Sequence, residues 1–372
     1  MNSTPKAVHD RRKRVVFFVR GIVSLVIVVA IFALIVPKIA SYSTVGGTLS
    51  ALTPLQILAV TGAMVFNLVT YWWQMQAAMP GLTLLQAAVN NQTGTTISNL
   101  VPGGGVIALG VVVEMFRSWG FTGSEIGLEL SITGIWNSFM KLALPIVAVA
   151  LLAISGKGAT YLLIPAIVGL LALAGTVLAF ALMLWKKRFA RAVGGGLGAA
   201  WSWLRSLVHK PPVTTWGEGA VRFRKDTIKL VEKRWIPLTL TTIVSHLALF
   251  FVLLLSLRYI GIHEHEVSWA QALAVFAFAR LLTALPFTPG GVGVVELALI
   301  GGLYAVGRSH ADVALPLFKA QLTGATFLFR AFTYGIQIPL GGFTYLIWRR
   351  NKRWRKERPA EEAVASVGGI PP

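Results

Sequence analysis

The sequence predicts an all-α polytopic integral membrane protein, with about six full spans and two broken or re-entrant helical hairpins arranged as an inverted repeat. Three observations predict it. Apolar residues make up 55% of the 372 positions and charged residues only 13%, about half the charged share of a soluble domain. The basic residues gather in blocks that abut long apolar runs. Two further apolar stretches are each interrupted midway by a Pro-Gly-Gly sequence.

The elements follow in chain order. Residues 1–14 are a basic N-terminus ending in Arg11-Arg12-Lys13-Arg14, ahead of the apolar run Val15–Val36. The pattern has the outline of a signal peptide, but Lys38 follows directly without a small-x-small cleavage site, so an uncleaved first span is expected. Further spans are predicted at Pro54–Met79, Leu128–Ile154, Tyr161–Trp185, Trp235–Tyr259 and Val313–Trp348, against the about 17–25 residues a bilayer requires. The last is too long for one straight helix, and Gly335, Pro339, Gly341 and Gly342 predict a kink or break in it.

Leu82–Phe116 is apolar but interrupted by Asn90-Asn91-Gln92-Thr93 and by Pro102-Gly103-Gly104-Gly105. Trp269–Val306 is interrupted by Pro286 and by Pro289-Gly290-Gly291-Val292-Gly293. A hairpin with the break at its tip suits each stretch better than one span with a break in its middle. The charge pattern agrees. Three blocks, Lys6 to Arg20, Lys186 to Arg234 and Arg349 to Arg358, hold 25 of the 34 Lys and Arg residues. If each hairpin returns to the side it entered, all three blocks fall on the cytoplasmic side, as the positive-inside rule requires.

Residues 15–348 are therefore expected to form one transmembrane domain, with a cytoplasmic basic segment at 186–234 and a cytoplasmic, disordered basic tail at 349–372. Within 186–234, Trp201, Leu204, Leu207 and Val208 share one helical face and predict an interfacial helix broken by Pro211-Pro212. The net charge of +20 reads as membrane topology and attraction to anionic lipid, not nucleic-acid binding. The absence of cysteine excludes disulfides and thiolate chemistry.

The two halves repeat. Pro102-Gly103-Gly104 matches Pro289-Gly290-Gly291, and Thr133-Gly134 with Lys141 and Pro145 matches Thr323-Gly324 with Arg330 and Pro339. The offsets from the Pro-Gly-Gly proline to the Thr-Gly pair are 31 and 34 residues. The charge rule makes the repeats inverted, an architecture of secondary transporters whose substrate sits at the repeat interface.

Freed backbone groups at the hairpin tips cannot face lipid, and the second arm of each hairpin begins there. Two converging helix N-termini would make an anion site; equally, the glycines could only permit close helix packing. Lys141 lies about 18 Å into its span at 1.5 Å per residue, with Arg330 at matching depth. A charge there costs about 2.5–3.5 kcal/mol and marks a pathway or a partner. Arg280 and Glu296 flank Pro289 at similar distances and predict an ion pair across the hairpin, either a staple or a part of transport. The candidate substrate-binding residues are thus Lys141, Arg280, Glu296, Arg330, Pro102, Gly103, Gly104, Gly105, Pro289, Gly290, Gly291 and Gly293. Glu114 and His246 rank below them. His263-Glu264-His265-Glu266 hints at a metal but falls in an external loop, and no metal, cofactor or catalytic residue is expected. Walker A, Gly-x-Ser-x-Gly and His-Glu-x-x-His signatures are absent.

Asn99-Leu100-Val101-Pro102-Gly103-Gly104 and Leu285-Pro286-Phe287-Thr288-Pro289-Gly290-Gly291-Val292-Gly293-Val294-Val295-Glu296 resemble the signature hairpins of the lysylphosphatidylglycerol synthase transmembrane region, the flippase-like domain family. The resemblance runs from about Arg14 to Trp348. It implies lipid translocation without naming the lipid. The chain ends about 25 residues after the last span, so the soluble aminoacyl-transferase domain of the bifunctional relatives is expected to be missing, and synthase activity with it.

The leading expectation is a translocator in the inner or plasma membrane for an anionic phospholipid or isoprenoid-linked amphiphile. Its head group would lie between the hairpin tips. The rivals are an integral-membrane transferase acting on a lipid-linked substrate, with Glu296 as base, and a partner subunit of a lipid- or envelope-synthesis enzyme. The expected partners are membrane lipids, with a lipid-synthesis enzyme or a second copy of the chain left open.

Overall fold

The computed structural model describes residues 42–100, 104–155, 163–206, 216–283, 291–351 and 354. Among the described residues the regular structure is all helical, with no strand. In order the helices are α1 (Tyr42–Ser50), α2 (Pro54–Ala78), α3 (Leu84–Leu100), α4 (Gly104–Ser118), α5 (Gly123–Ile154), α6 (Leu163–Trp185), α7 (Lys187–Ser206), α8 (Trp216–Tyr259), α9 (Trp269–Leu282), α10 (Val294–Gly307) and α11 (Leu315–Arg330). A π-helical turn, Ala331–Gly335, then leads into α12 (Gln337–Arg350). The predicted span Val15–Val36 lies outside the described residues.

Several helix starts are written locally in the chain. Thr53 with Gln56, Thr83 with Gln86, Thr122 with Glu125 and Ser268 with Gln271 each exchange hydrogen bonds between side chain and backbone at the head of a helix. These are capping boxes, which satisfy amide donors that would otherwise be orphaned. They fix where α2, α3, α5 and α9 begin.

Among the described residues four helices are long and apolar enough to cross a membrane: α2, α5, α6 and α8. α6 shows what faces lipid, since only 6% of its apolar window is buried and Ile164 and Leu171 are largely exposed. α8 corrects one expectation. Its 44 residues run unbroken from Trp216 to Tyr259, so the second part of the basic segment is the charged beginning of a spanning helix and not a separate surface piece. The first part is α7, and Leu207 and Val208 of its predicted apolar face lie outside the described residues. It docks on the head of α8 through the stacked rings of Trp201 and Trp216 and the Arg191–Glu218 ion pair. Pro211-Pro212 lies outside the described residues.

Both interrupted stretches form paired helices. α3 packs on α4, and α9 packs on α10. The polar run Asn90 to Thr93 does not interrupt α3, contrary to the sequence reading. Asn90, Gln92, Thr93 and Thr96 are buried, where the amide of Asn90 donates to the Val112 carbonyl and Thr93 and Thr96 bond to α12. A helix interior accepts polar side chains wherever a neighbouring helix supplies partners.

The chain clusters into two units. One draws on the chain up to Trp72, on Thr83–Phe121 and on the chain from Ser245 onward; the other comprises Trp73–Leu82 and Thr122–Val244. In the first, α1 packs on α11 through Val45 and Leu49 against Ala320 and Phe327, and the Asn67 amide donates to the Ser245 carbonyl at 2.8 Å. In the second, Ala77, Ala78, Ile132, Leu230 and Leu238 form a core with Trp136 and Phe180 packed on it. There Gln74 donates to Thr242 at 2.6 Å and the Trp136 indole to Thr239 at 3.0 Å.

Candidate functional site

The site lies in the first unit, on the broken last helix. α11 packs against α10 of the second hairpin, and α12 packs along α3 of the first. Between them the ladder slips by one residue, with the Ile336 N–H donating to the Ala331 carbonyl five residues back at 2.9 Å. Pro339 contributes to the break because it has no N–H to offer the Gly335 carbonyl. The side-chain amide of Gln337 donates to the Thr333 carbonyl at 2.7 Å, and the Thr333 hydroxyl to the Phe329 carbonyl at 2.7 Å. The predicted break in Val313–Trp348 is thus a π turn, a feature concentrated at functional positions. Gly341 and Gly342 lie inside α12 and do not interrupt it.

A line of polar contacts crosses this turn. At the second hairpin Gly293, with φ +87°, allows the chain to swing into α10. Glu296 sits in the first turn of α10 and is buried, with 3% of its side chain exposed. Its two oxygens are divided. The Gly293 N–H donates to Oε2 at 2.7 Å, and Arg330 Nε donates to Oε1 at 2.6 Å. The Arg330 guanidinium, 15% exposed, lies 4.6 Å from the centroid of the Tyr334 ring. The Tyr334 hydroxyl donates at 3.0 Å to the Asn99 carbonyl, in the last turn of the first hairpin's first arm. Glu296, Arg330, Tyr334 and Asn99 therefore tie the heads of both hairpins to one π turn.

The expected Arg280–Glu296 pair does not form; among the described residues Glu296 pairs with Arg330 instead. Equal distance from Pro289 said nothing about which face of the arm each residue occupies, and α11 supplies a cation on the face where Glu296 points. Arg280 closes the last turn of α9, half-buried, with its Nε unpartnered among the described residues. A cation at a helix C-terminus is favoured by the helix dipole.

The first hairpin tip is tight. Gly104 begins α4 beneath the Ile97 carbonyl, so close that a Cβ would collide with it, whereas Gly105 faces open space. Gly291, like Gly293, has a positive φ. Pro102, Gly103, Pro289 and Gly290 lie outside the described residues. Lys141 lies on α5, partly buried, in the second unit.

Sequence reasoning missed Tyr334, Asn99 and Gln337, since each acts through backbone atoms that only the fold brings near. It also missed Glu129, a buried carboxylate on α5 whose Oε2 has no partner among the described residues. An acidic residue just inside a predicted apolar span was the available signal. The side chains of Glu264, His265 and Glu266 are engaged in loop structure. Glu264 pairs with Arg258 and accepts from the Trp269 N–H, His265 meets Asp312 at 2.7 Å, and Glu266 accepts the N–H groups of His263 and Asp312. Among the described residues no group of three acidic or histidine side chains is arranged to hold a metal.

Apolar spanning helices together with two broken helical hairpins define a multi-pass membrane protein of the flippase-like type. The model of the family described as "Lysylphosphatidylglycerol synthase TM region" matches residues 21–341, and the chain belongs to that family. A comparison with curated proteins gave no match.

Proposed function

We propose that the protein translocates an anionic lipid, a phospholipid or an isoprenoid-linked amphiphile, whose phosphate binds at the hairpin heads. The observation that carries this reading is the division of the Glu296 carboxylate between a helix-head N–H and Arg330. That carboxylate holds the place an anion would take. A lipid phosphate presents the same charge and the same acceptor geometry. It would exchange with Glu296 for the Gly293 N–H and the Arg330 guanidinium, with Arg280 close in sequence on the preceding arm. Displacing Glu296 loosens the second hairpin from the π turn, which also holds the first hairpin through Tyr334. Binding and rearrangement are coupled in this way.

The rival reading, a transferase with Glu296 as base, is separated from translocation by the chemistry of the lipid after reconstitution. The membrane is the plasma or inner membrane, with both termini and the Lys186–Arg234 segment cytoplasmic, as the charge distribution favours.

Reconstitution tests the reading. Proteoliposomes carrying the wild-type chain should move a fluorescent phosphatidylglycerol between leaflets without changing it chemically, and the Arg330→Met protein should not. A chemically altered lipid would establish the transferase instead. Wild-type rates from Arg330→Met would remove the hairpin heads from the mechanism.

A further inference from the structure

The second unit holds a cleft of its own, lined by none of the residues of the Glu296–Arg330 contacts. The turn after α2, the head of α5 and the charged part of α8 enclose about 580 Å³, within the about 300–1,000 Å³ of small-molecule sites. Three cations line it, Lys229, Lys233 and Arg234, together with two carboxylates, Glu125 and Asp226. The carboxylates are already engaged. Glu125 accepts both the N–H and the hydroxyl of Thr122 at 2.8 Å, and Asp226 accepts the Ser124 hydroxyl at 3.1 Å. None of the three cations forms an ion pair among the described residues. The positive end of the 32-residue helix α5 opens on the same space. Its level in the bilayer is marked by the next residues of α8, Trp235 and Ile236, which are 54% and 52% exposed and begin the apolar run.

We infer that this cleft binds the phosphate of a lipid head group at the membrane surface, with Lys229, Lys233 and Arg234 as its ligands and the acyl chains lying along Trp235 and Ile236. Flexible lysines and the helix head supply donors without demanding one head-group alcohol, so the recognised chemistry is the phosphate itself. Cations alone would attract any anionic surface. A cleft with an apolar flank selects a molecule carrying both a phosphate and chains. The site goes beyond the hairpin reading, because nothing in it requires that the bound lipid be moved.

Binding to the full chain in detergent micelles tests it, with dioctanoyl phosphatidylglycerol, dioctanoyl phosphatidylcholine and inorganic phosphate as separate probes. The double variant Lys229→Gln/Lys233→Gln should bind phosphatidylglycerol about tenfold more weakly, as loss of charge-assisted hydrogen bonds implies. Arg222→Gln/Lys225→Gln removes the same charge from the same helix outside the cleft lining, and should change binding less than about twofold. Both pairs have exposed Lys or Arg side chains, and a melting curve for each checks the fold. Equal weakening by the two double variants, or none by the cleft pair, would overturn the site. Displacement of the lipid by inorganic phosphate supports recognition of phosphate whatever its carrier, whereas weak displacement with phosphatidylglycerol preferred over phosphatidylcholine supports the lipid as its source. Both lipids carry the phosphate, so equal weakening of both by Lys229→Gln/Lys233→Gln supports recognition of the phosphate itself, and unchanged binding of both in that variant would exclude it. Cleft variants that lose binding yet still translocate would leave the hairpin mechanism intact, and translocation lost by Arg330→Met alone would leave the cleft intact.

Discussion

Glu296 carries two bonds that a single substitution disturbs in different ways. In Glu296→Gln the carbonyl oxygen can still accept from Gly293, but Arg330 loses its counter-charge in a site only 15% exposed. Leaving one member of a buried pair uncompensated costs about 3–5 kcal/mol, so the melting temperature of the lipid-free protein should fall clearly. If the carboxylate stands in for a lipid phosphate, added phosphatidylglycerol should raise the melting temperature of Glu296→Gln more than that of the wild type. A smaller rise in the variant would count against exchange. A double-mutant cycle checks the partner. Glu296→Gln and Arg330→Met should be strongly non-additive, whereas Glu296→Gln and Arg280→Met should add. Rescue by the swap Arg280→Glu with Glu296→Arg is not expected, since Arg280 is not the partner. Tyr334→Phe keeps the ring beside Arg330 and deletes only the bond to Asn99, a loss of about 1 kcal/mol. Translocation should slow by more than that small change in stability would explain.

At the scale of elements, the close approach of α12 to α3 rests on one residue. A Cβ at Gly341 would overlap the Thr96 hydroxyl and the Gln92 carbonyl, while one at Gly342 meets nothing. Gly341→Ala should therefore cost about 1–3 kcal/mol, the usual penalty for overpacking. Gly342→Ala should be neutral or slightly stabilising, since alanine is the better helix former. Melting curves of the two variants in detergent give the comparison, and equal curves would refute the packing argument. The π turn is likewise a property of the element. Pro339 removes a donor, and the Gln337 and Thr333 side chains add bonds to the Thr333 and Phe329 carbonyls of the same turn and the helix before it. Gln337→Leu should destabilise the turn, because the Thr333 carbonyl then loses the side-chain amide that donates to it.

For the whole molecule the charge pattern makes a topological prediction. Reporters fused near Lys210 and after Arg358 should both register the cytoplasm, and a tag placed between Gly261 and Glu266 should be reached from outside. Labelling of position 210 by an impermeant reagent in intact cells would overturn the inverted arrangement. Along the chain a long helix followed by a paired hairpin occurs twice, and the element that follows is the unbroken α5 in the first half and the broken pair α11 and α12 in the second.

The sequence by itself determined the class of protein, the helix content, both hairpins and the break in the last span. These follow from composition, hydrophobic run length and the positions of proline and glycine, all local properties that the bilayer turns directly into structure. It also pointed to Glu296 and Arg330 as buried charges, because charge in an apolar run is conspicuous wherever it falls. Only the tertiary structure decided which cation Glu296 meets. Sequence spacing gives depth along a helix but not the direction a side chain faces, and α11 rather than α9 presents its arginine on that side. The roles of Tyr334, Asn99 and Gln337 were equally hidden, since their bonds run to backbone groups that a π turn and a tight helix crossing bring within reach. The fate of Asn90 to Thr93 shows the same limit. In one dimension they interrupt an apolar stretch, and in three they are shared between neighbours, Asn90 bonding to α4 and Thr93 to α12.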